Sequence, residues 1–328
     1  MSIVAFIVIA FMITVYVLLD GYDLGVGAIT PLVARSDRQR EGSMRSIGPF
    51  WNGNEVWLIA GGGALFALFP KAYASSFSGF YLPFIIVLWL LMFRGVAMEL
   101  RSHFPSELWH QFWDACFAVS SVLLIVLFGV ALGNLLHGVP LGRQGYFIGT
   151  FDELLNPYSV LVGVFALVAL ALHGTTFLVM RTQGPAAQRA QRLLPRLWAV
   201  ALVLYIAVSA ATVAERGIGF SWIGLVPLLT LASLGALLFL SLHKDGRGAF
   251  MASSAFLASL LLQAAVTLYP YLLPSLPLGS GGISIFDAAP SPLALASALT
   301  VTIVGLVAVV IYSALVMRQL AGKVVVED

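Results

Sequence analysis

Charge is what this sequence has least of. It holds 17 Lys or Arg and 15 Asp or Glu in 328 residues, a charged fraction of 10%. A soluble domain carries roughly 25% charged residues to keep its surface hydrated. The shortage excludes a soluble enzyme, a disordered chain and a nucleic-acid binder. With 60% hydrophobic residues and a mean hydropathy of +0.98, most of the surface must face a bilayer. Cysteine is nearly absent too. Cys116 stands alone, which excludes an internal disulfide framework and any cysteine cluster for zinc or iron–sulfur. The N-terminal run MSIVAFIVIAFMITVYVLL lacks the basic start and small-residue cleavage site of a secretory signal, so it reads as a retained membrane helix. No internal repeat or low-complexity tract is visible.

Long apolar runs are abundant. A spanning helix needs about 20 mostly apolar residues, and nine segments qualify: 2–33, 51–71, 76–100, 110–136, 157–181, 194–214, 221–243, 249–270 and 293–320. A closed barrel would show short alternating strands instead, so the expected class is an all-α polytopic membrane protein. The first span is too long for a membrane: at 1.5 Å per residue it would reach about 48 Å, against a hydrocarbon core near 30 Å. Either it projects beyond the bilayer or it changes course near Gly21, Gly25, Gly27 and Pro31. Segment 271–292, rich in Gly, Pro and Ser, reads as an irregular surface loop.

Charge position orients the chain. Arg35, Arg38, Arg40, Arg45, Arg94, Arg101, Arg181, Arg189, Arg192, Arg196, Lys244, Arg247, Arg318 and Lys323 follow the odd-numbered spans. Only Lys71, Arg143 and Arg216 fall on the other side. Positive residues mark the cytoplasmic face, which predicts an outside N-terminus and a cytoplasmic C-terminus.

Ionisable groups inside spans are expensive and therefore functional candidates. Counting from the outer face puts Asp20 about 27 Å down, with Asp23 a turn further. The second span runs the other way, so Asn52, Asn54 and Glu55 lie just above its cytoplasmic start. The third brings Arg94 to about 27 Å and Glu99 a turn or more beyond. Three helices thus place Asp20, Asp23, Glu55, Arg94 and Glu99 at similar depth. Two readings are open. One is an ion-pair lock between closely packed helices, favoured by the Gly21–Gly25 spacing and by Gly61–Gly63. The other is an intake for protons or ions.

His173 is the one histidine well inside a span; His103, His110, His137 and His243 lie at helix ends or loops. No pair suits bis-histidine haem ligation, and His173 reads as hydrogen-bonded to a neighbouring helix. The Glu-x-x-His repeats of a di-metal bundle are missing. Trp51, Trp57, Trp89, Trp109, Trp113, Trp198 and Trp222 read mainly as interfacial belts, Trp57 lying deepest. Cys116 reads as a small buried hydrophobe.

The first spans carry specific motifs: D-G-Y-D-L-G-V-G at 20–27, W-N-G-N-E-V-W-L at 51–58, G-G-A-L-F-A at 62–67, F-P-K-A-Y-A at 69–74, F-S-G-F-Y at 77–81 and F-R-G-V-A-M-E-L-R at 93–101. G-N-L-L-H-G-V-P at 133–140, L-N-P at 155–157 and L-H-G-T-T at 172–176 extend the series. Together they resemble subunit II of the cytochrome bd quinol oxidases, including the cyanide-insensitive branch. The later spans match in number and polarity only. The resemblance implies a single integral-membrane domain with nine helices: two four-helix bundles, over 1–136 and 157–270, and a peripheral helix at 293–320.

It also implies a heterodimer with a haem-bearing subunit I that holds haem b, haem d and the quinol-oxidising loop, in a bacterial plasma membrane. Subunit II would ligate no haem, stabilise its partner and line a cytoplasmic proton route. In some members it holds a structural quinone or meets small single-span accessory subunits. Asp20 matches the family's first-span aspartate and leads the proton-route candidates, followed by Glu55, Asp23 and Glu99, with Arg94 as counter-charge. The chain departs from the family at Asn52, where many members have Asp; an amide orients water but does not carry a proton. The alternative to an oxidase subunit is a cation-coupled secondary transporter, which should show an inverted repeat with interrupted helices near the midplane.

Overall fold

The computed structural model describes residues 1–216, 224–278, 281–320 and 322–325. Helices dominate: α1 (Ser2–Val33), α2 (Asp37–Ile47), α3 (Trp51–Leu68), α4 (Pro70–Gly79), α5 (Tyr81–Leu100), α6 (Glu107–His137), α7 (Pro157–Arg181), α8 (Pro185–Arg216), α9 (Leu225–Leu242), α10 (Gly246–Leu268) and α11 (Pro292–Gln319). Among the described residues, eight of these are long and apolar enough to cross a membrane. The predicted second span forms as α3, 18 residues long, whose Asn52, Asn54, Glu55 and glycines leave it less apolar than the others. Residues 221–223, where the seventh span was expected to start, and Trp222 with them, lie outside the described residues.

Local chemistry sets several helix starts. Ser36 accepts from the Gln39 N–H at the head of α2, and Asp245 from the Gly248 N–H at the head of α10. Asn156 accepts from the Ser159 N–H at 2.9 Å while Pro157 takes the first position of α7. α6 ends at Gly138, whose φ of 97° suits a residue without Cβ.

Of the two alternatives left open for the long first span, the helix is not broken at the glycines: α1 runs as one helix past Gly21, Gly25 and Gly27 and ends in the turn that carries Pro31. Two sequence expectations are corrected. The predicted third span is divided at Phe80 into α4 and α5, with Pro70 opening α4. Segment 271–292 contains ordered strands: β2 (Tyr271–Pro274) pairs antiparallel with β3 (Gly282–Ser284), and Val139 bridges to Ser275. Leu273, Ile283, Ile285 and Ala288 of this segment are buried with Ala5, Ile9 and Met12 of α1 and with Leu68 and Phe69. Apolar side chains, hidden among turn residues, tie it to the N-terminal half of α1 and the C-terminal end of α3.

α1 is central, packing on α3, α6, α7 and α10, while α5 packs on α6, α8 on α7, α9 on α10 and α11 on α3. The α1–α7 crossing is backbone against backbone: a Cβ on Gly25 would lie 2.9 Å from the Gly174 Cα. Gly129 of α6 likewise faces Gly163 of α7, with 2.7 Å left for a Cβ. A Cβ on Gly61, Gly62 or Gly63, by contrast, would meet nothing within 4 Å, so among the described residues they make no close approach. At the basic end of the helices, the two-residue strand β1 (Thr182–Gln183) pairs in parallel with β4 (Val324–Val325).

Candidate functional site

Side chains from α1, α3 and α5 meet in a charge cluster, with α1 packed on α3 and Arg94 of α5 reaching both. Asp20 is fully buried on α1 and Arg94 fully buried on α5. The Arg94 Nη1 donates to Asp20 Oδ1 at 2.7 Å, and its Nη2 donates to Glu55 Oε1 on α3. Tyr16, one turn before Asp20 on α1, donates its hydroxyl to Asp20 Oδ2 at 2.9 Å. One guanidinium therefore joins two carboxylates from different helices, and Asp20 has a donor on each oxygen. Removing one partner from such a buried pair strands the other charge. Glu55 is the most open of the three, with a side chain 24% exposed where Asp20 and Arg94 show none.

A second limb adjoins the first. The Asn54 Nδ2 lies 2.7 Å from Asp23 Oδ2, 2.8 Å from the Tyr22 hydroxyl and 3.3 Å from the Leu19 carbonyl. Two amide hydrogens serve three acceptors, so one is shared. The other Asp23 oxygen, Oδ1, is buried without a partner.

Four of the candidates read from sequence, Asp20, Asp23, Glu55 and Arg94, are thus brought together. Two are not. Glu99 is exposed beyond Arg94, and its backbone carbonyl meets His103 Nδ1 at 2.9 Å. Asn52 is exposed one helical turn before Glu55 on α3 and, among the described residues, makes no hydrogen bond to the cluster. Sequence reasoning missed Tyr16 and gave Asn54 no role. The available signals were a tyrosine one helical turn from Asp20 and an amide beside Glu55.

A separate clasp was also missed. Arg101, just after α5, donates from Nε to Asp114 Oδ1 of α6 and from Nη2 to Asp37 Oδ1 of α2, both at 2.6 Å. Arg40 reaches Asp114 at 2.9 Å and His110 reaches Asp37 at 3.2 Å. These bonds fasten the short α2 to the ends of two spans.

The histidines are dispersed over the fold, and each has a hydrogen-bond or ion-pair partner. His173 is buried, with Nε2 3.0 Å from the Leu18 carbonyl and Nδ1 2.8 Å from Ser253 Oγ. The carbonyl can only accept, which assigns a proton to Nε2, while the Ser253 hydroxyl beside Nδ1 also lies 2.7 Å from the Phe250 carbonyl. Both ring nitrogens are committed, tying α7 to α1 and α10. His110 and His137 face carboxylates, and His103 and His243 face backbone carbonyls. Trp57, expected in an interfacial belt, is buried and donates to Ser313 Oγ of α11 at 3.2 Å. Cys116 is half-buried.

Fold and cluster together define a multi-pass helical membrane protein with buried ionisable groups at one end of its central helices. The sequence model described as cytochrome bd terminal oxidase subunit II matches residues 1–320. Cytochrome bd-I ubiquinol oxidase subunit 2 of Escherichia coli K12 is 32% identical, over 94% of this chain and 91% of the relative. The cytochrome bd ubiquinol oxidase subunit 2 of Bacillus subtilis is 32% identical over 82% of this chain and 81% of its own length. The bd oxidase structure from Geobacillus thermodenitrificans shares the fold, with a TM-score of 0.77 over 97% of this chain and 98% of that one, at 16% identity. The chain belongs to the cytochrome bd terminal oxidase subunit II family and is a subunit of an oxidoreductase complex. Membership implies a subunit I partner and haems in the complex.

Proposed function

We propose that this chain is the non-haem subunit II of a quinol:O2 oxidase in a bacterial plasma membrane, stabilising subunit I and contributing to proton uptake from the cytoplasm. In this reading the N-terminus is outside, and the helices form two four-helix bundles with α11 peripheral. Haem b and haem d belong to subunit I, where they supply the electron transfer and oxygen chemistry. The quinol pool supplies electrons, and a structural quinone and single-span accessory subunits are further partners this reading allows.

One observation carries the proton reading: Arg94 is shared between buried Asp20 and partly open Glu55. Reducing O2 to two waters consumes four protons, and uptake from one side separates charge without a pump. With both acids ionised, Asp20, Glu55 and Arg94 carry one net negative charge; with one proton added they carry none. The cluster therefore accepts a single proton without building excess charge in a poorly solvated site. A proton arriving at Glu55 releases one arm of Arg94 while Asp20 keeps the other. Tyr16 holds Asp20 in place, and Asn54 and Asp23 offer a second limb. Glu99 and Asn52, outside the cluster, are left out of the route.

No observation favours the transporter alternative. The test is to purify the chain alone and with its haem-bearing partner. Haem and quinol oxidase turnover are expected only with the partner. Stoichiometric haem on the chain alone would overturn the assignment of the haems to subunit I.

A further inference from the structure

Arginine is deeply buried at three places in the described fold. Arg94 is held by Asp20 and Glu55, and Arg101 by Asp37 and Asp114. Arg181, the last residue of α7, is 7% exposed, and among the described residues no carboxylate pairs with it and no group accepts a hydrogen bond from it. Its Nε is buried without a partner. The contact it does make is with the Phe50 ring, whose centroid lies 5.1 Å from Cζ. A guanidinium keeps its charge and offers five donors, so an unmatched one in such a place calls for an anion.

The surroundings are positive as well. Phe50 is the N-cap of α3, and no side chain caps that helix, so the partial positive charge of its first turn is unanswered from the protein. Thr182, following Arg181, pairs with Val324, which places Lys323 one residue back on the other strand; Lys323 is exposed. Of the acids in the two neighbouring clusters, Asp20, Glu55, Asp37 and Asp114 are committed to Arg94, Arg101 and Arg40, and Asp23 is bound to Asn54 and makes no ion pair with Arg181. On the apolar side Tyr22 stacks on Phe177 at 4.0 Å, and Phe177 meets Phe50 edge-on.

We infer that Arg181 anchors a phosphate-binding site at the basic end of the helices. A phosphate group presents two oxygens to the guanidinium fork while Phe50 backs its face. α7 ends where the basic residues Arg189, Arg192 and Arg196 follow, the level at which anionic headgroups sit. The same chemistry is met by a phospholipid headgroup or by free phosphate. The inference uses no residue of the proton route and stands apart from it.

The test uses the assembled, lipid-stripped oxidase complex as wild type, Arg181→Gln and Arg181→Lys. Each is titrated with phosphatidylglycerol, with a phosphate-free glycolipid of the same acyl chains, and with inorganic phosphate. Native mass spectrometry counts bound molecules and thermal melting reports stabilisation. Saturable phosphatidylglycerol binding, absent for the glycolipid and weakened roughly tenfold or more in Arg181→Gln, is expected for a lipid source. Saturable protection by inorganic phosphate with the same loss identifies a free-phosphate site. Arg181→Lys, which keeps the charge but not the fork, should fall between and carries the comparison if Arg181→Gln does not assemble. Equal binding by wild type and the variant compared overturns the inference. So does the absence of binding to wild type.

Discussion

Asp20 has no oxygen to spare, because Arg94 takes one and Tyr16 the other. Tyr16→Phe removes one donor and leaves packing almost unchanged. It should keep full haem content in the complex and lower turnover several-fold; oxygen consumption per haem checks this, and wild-type turnover would remove Tyr16 from the route. Arg94→Met is more severe, since it strands Asp20 in an apolar core. A loss of about 3–5 kcal/mol is expected, read as a collapse in the yield of assembled complex. Depth counting made Asp20, Asp23, Glu55 and Arg94 legible because charges are scarce and the helices regular. Face was harder to read than depth. Five residues at about 100° each turn Glu99 some 140° from Arg94, and two put Asn52 on the side of α3 opposite Asn54. Tyr16 was hidden because a tyrosine in an apolar run looks like core, and its partner lies one turn along the same helix.

Among elements, the α1–α7 crossing sets the tightest constraint. Gly174→Ala pushes a methyl into the Gly25 backbone and should cost about 1–3 kcal/mol, lowering the melting temperature of the complex. Gly62→Ala, facing nothing within 4 Å, should leave the stability of this chain intact; a matched pair of melting curves checks both. Asp114→Asn weakens the hold on Arg101 and Arg40, so amide exchange over residues 37–47 should quicken while the spans stay protected. Most helices were legible to within a few residues, α7 at both ends, since Asn156 and Pro157 punctuate its start. The β2–β3 pair was not. Strands of four and three residues show no readable period, and their Gly, Pro and Ser signal turns as strongly as loops do. The break at Phe80 was equally silent, because apolar residues continue on both sides.

At the scale of the whole molecule, scarcity of charge does two jobs. It places the chain in a membrane, and it leaves a few ionised groups whose positions carry the functional argument. The fold class and family were legible from hydropathy and from motifs concentrated in residues 20–176. Which acids share a counter-charge depended on helix rotation and became visible only in three dimensions. The most direct measurement of the central claim is proton uptake by the assembled, fully haemylated oxidase in vesicles, comparing wild type with Asp20→Asn and Glu55→Gln. Slowed uptake and a reduced membrane potential, with haem content unchanged, are predicted for both variants. Wild-type uptake and potential in both would contradict the account and reduce Asp20, Arg94 and Glu55 to a structural ion-pair lock.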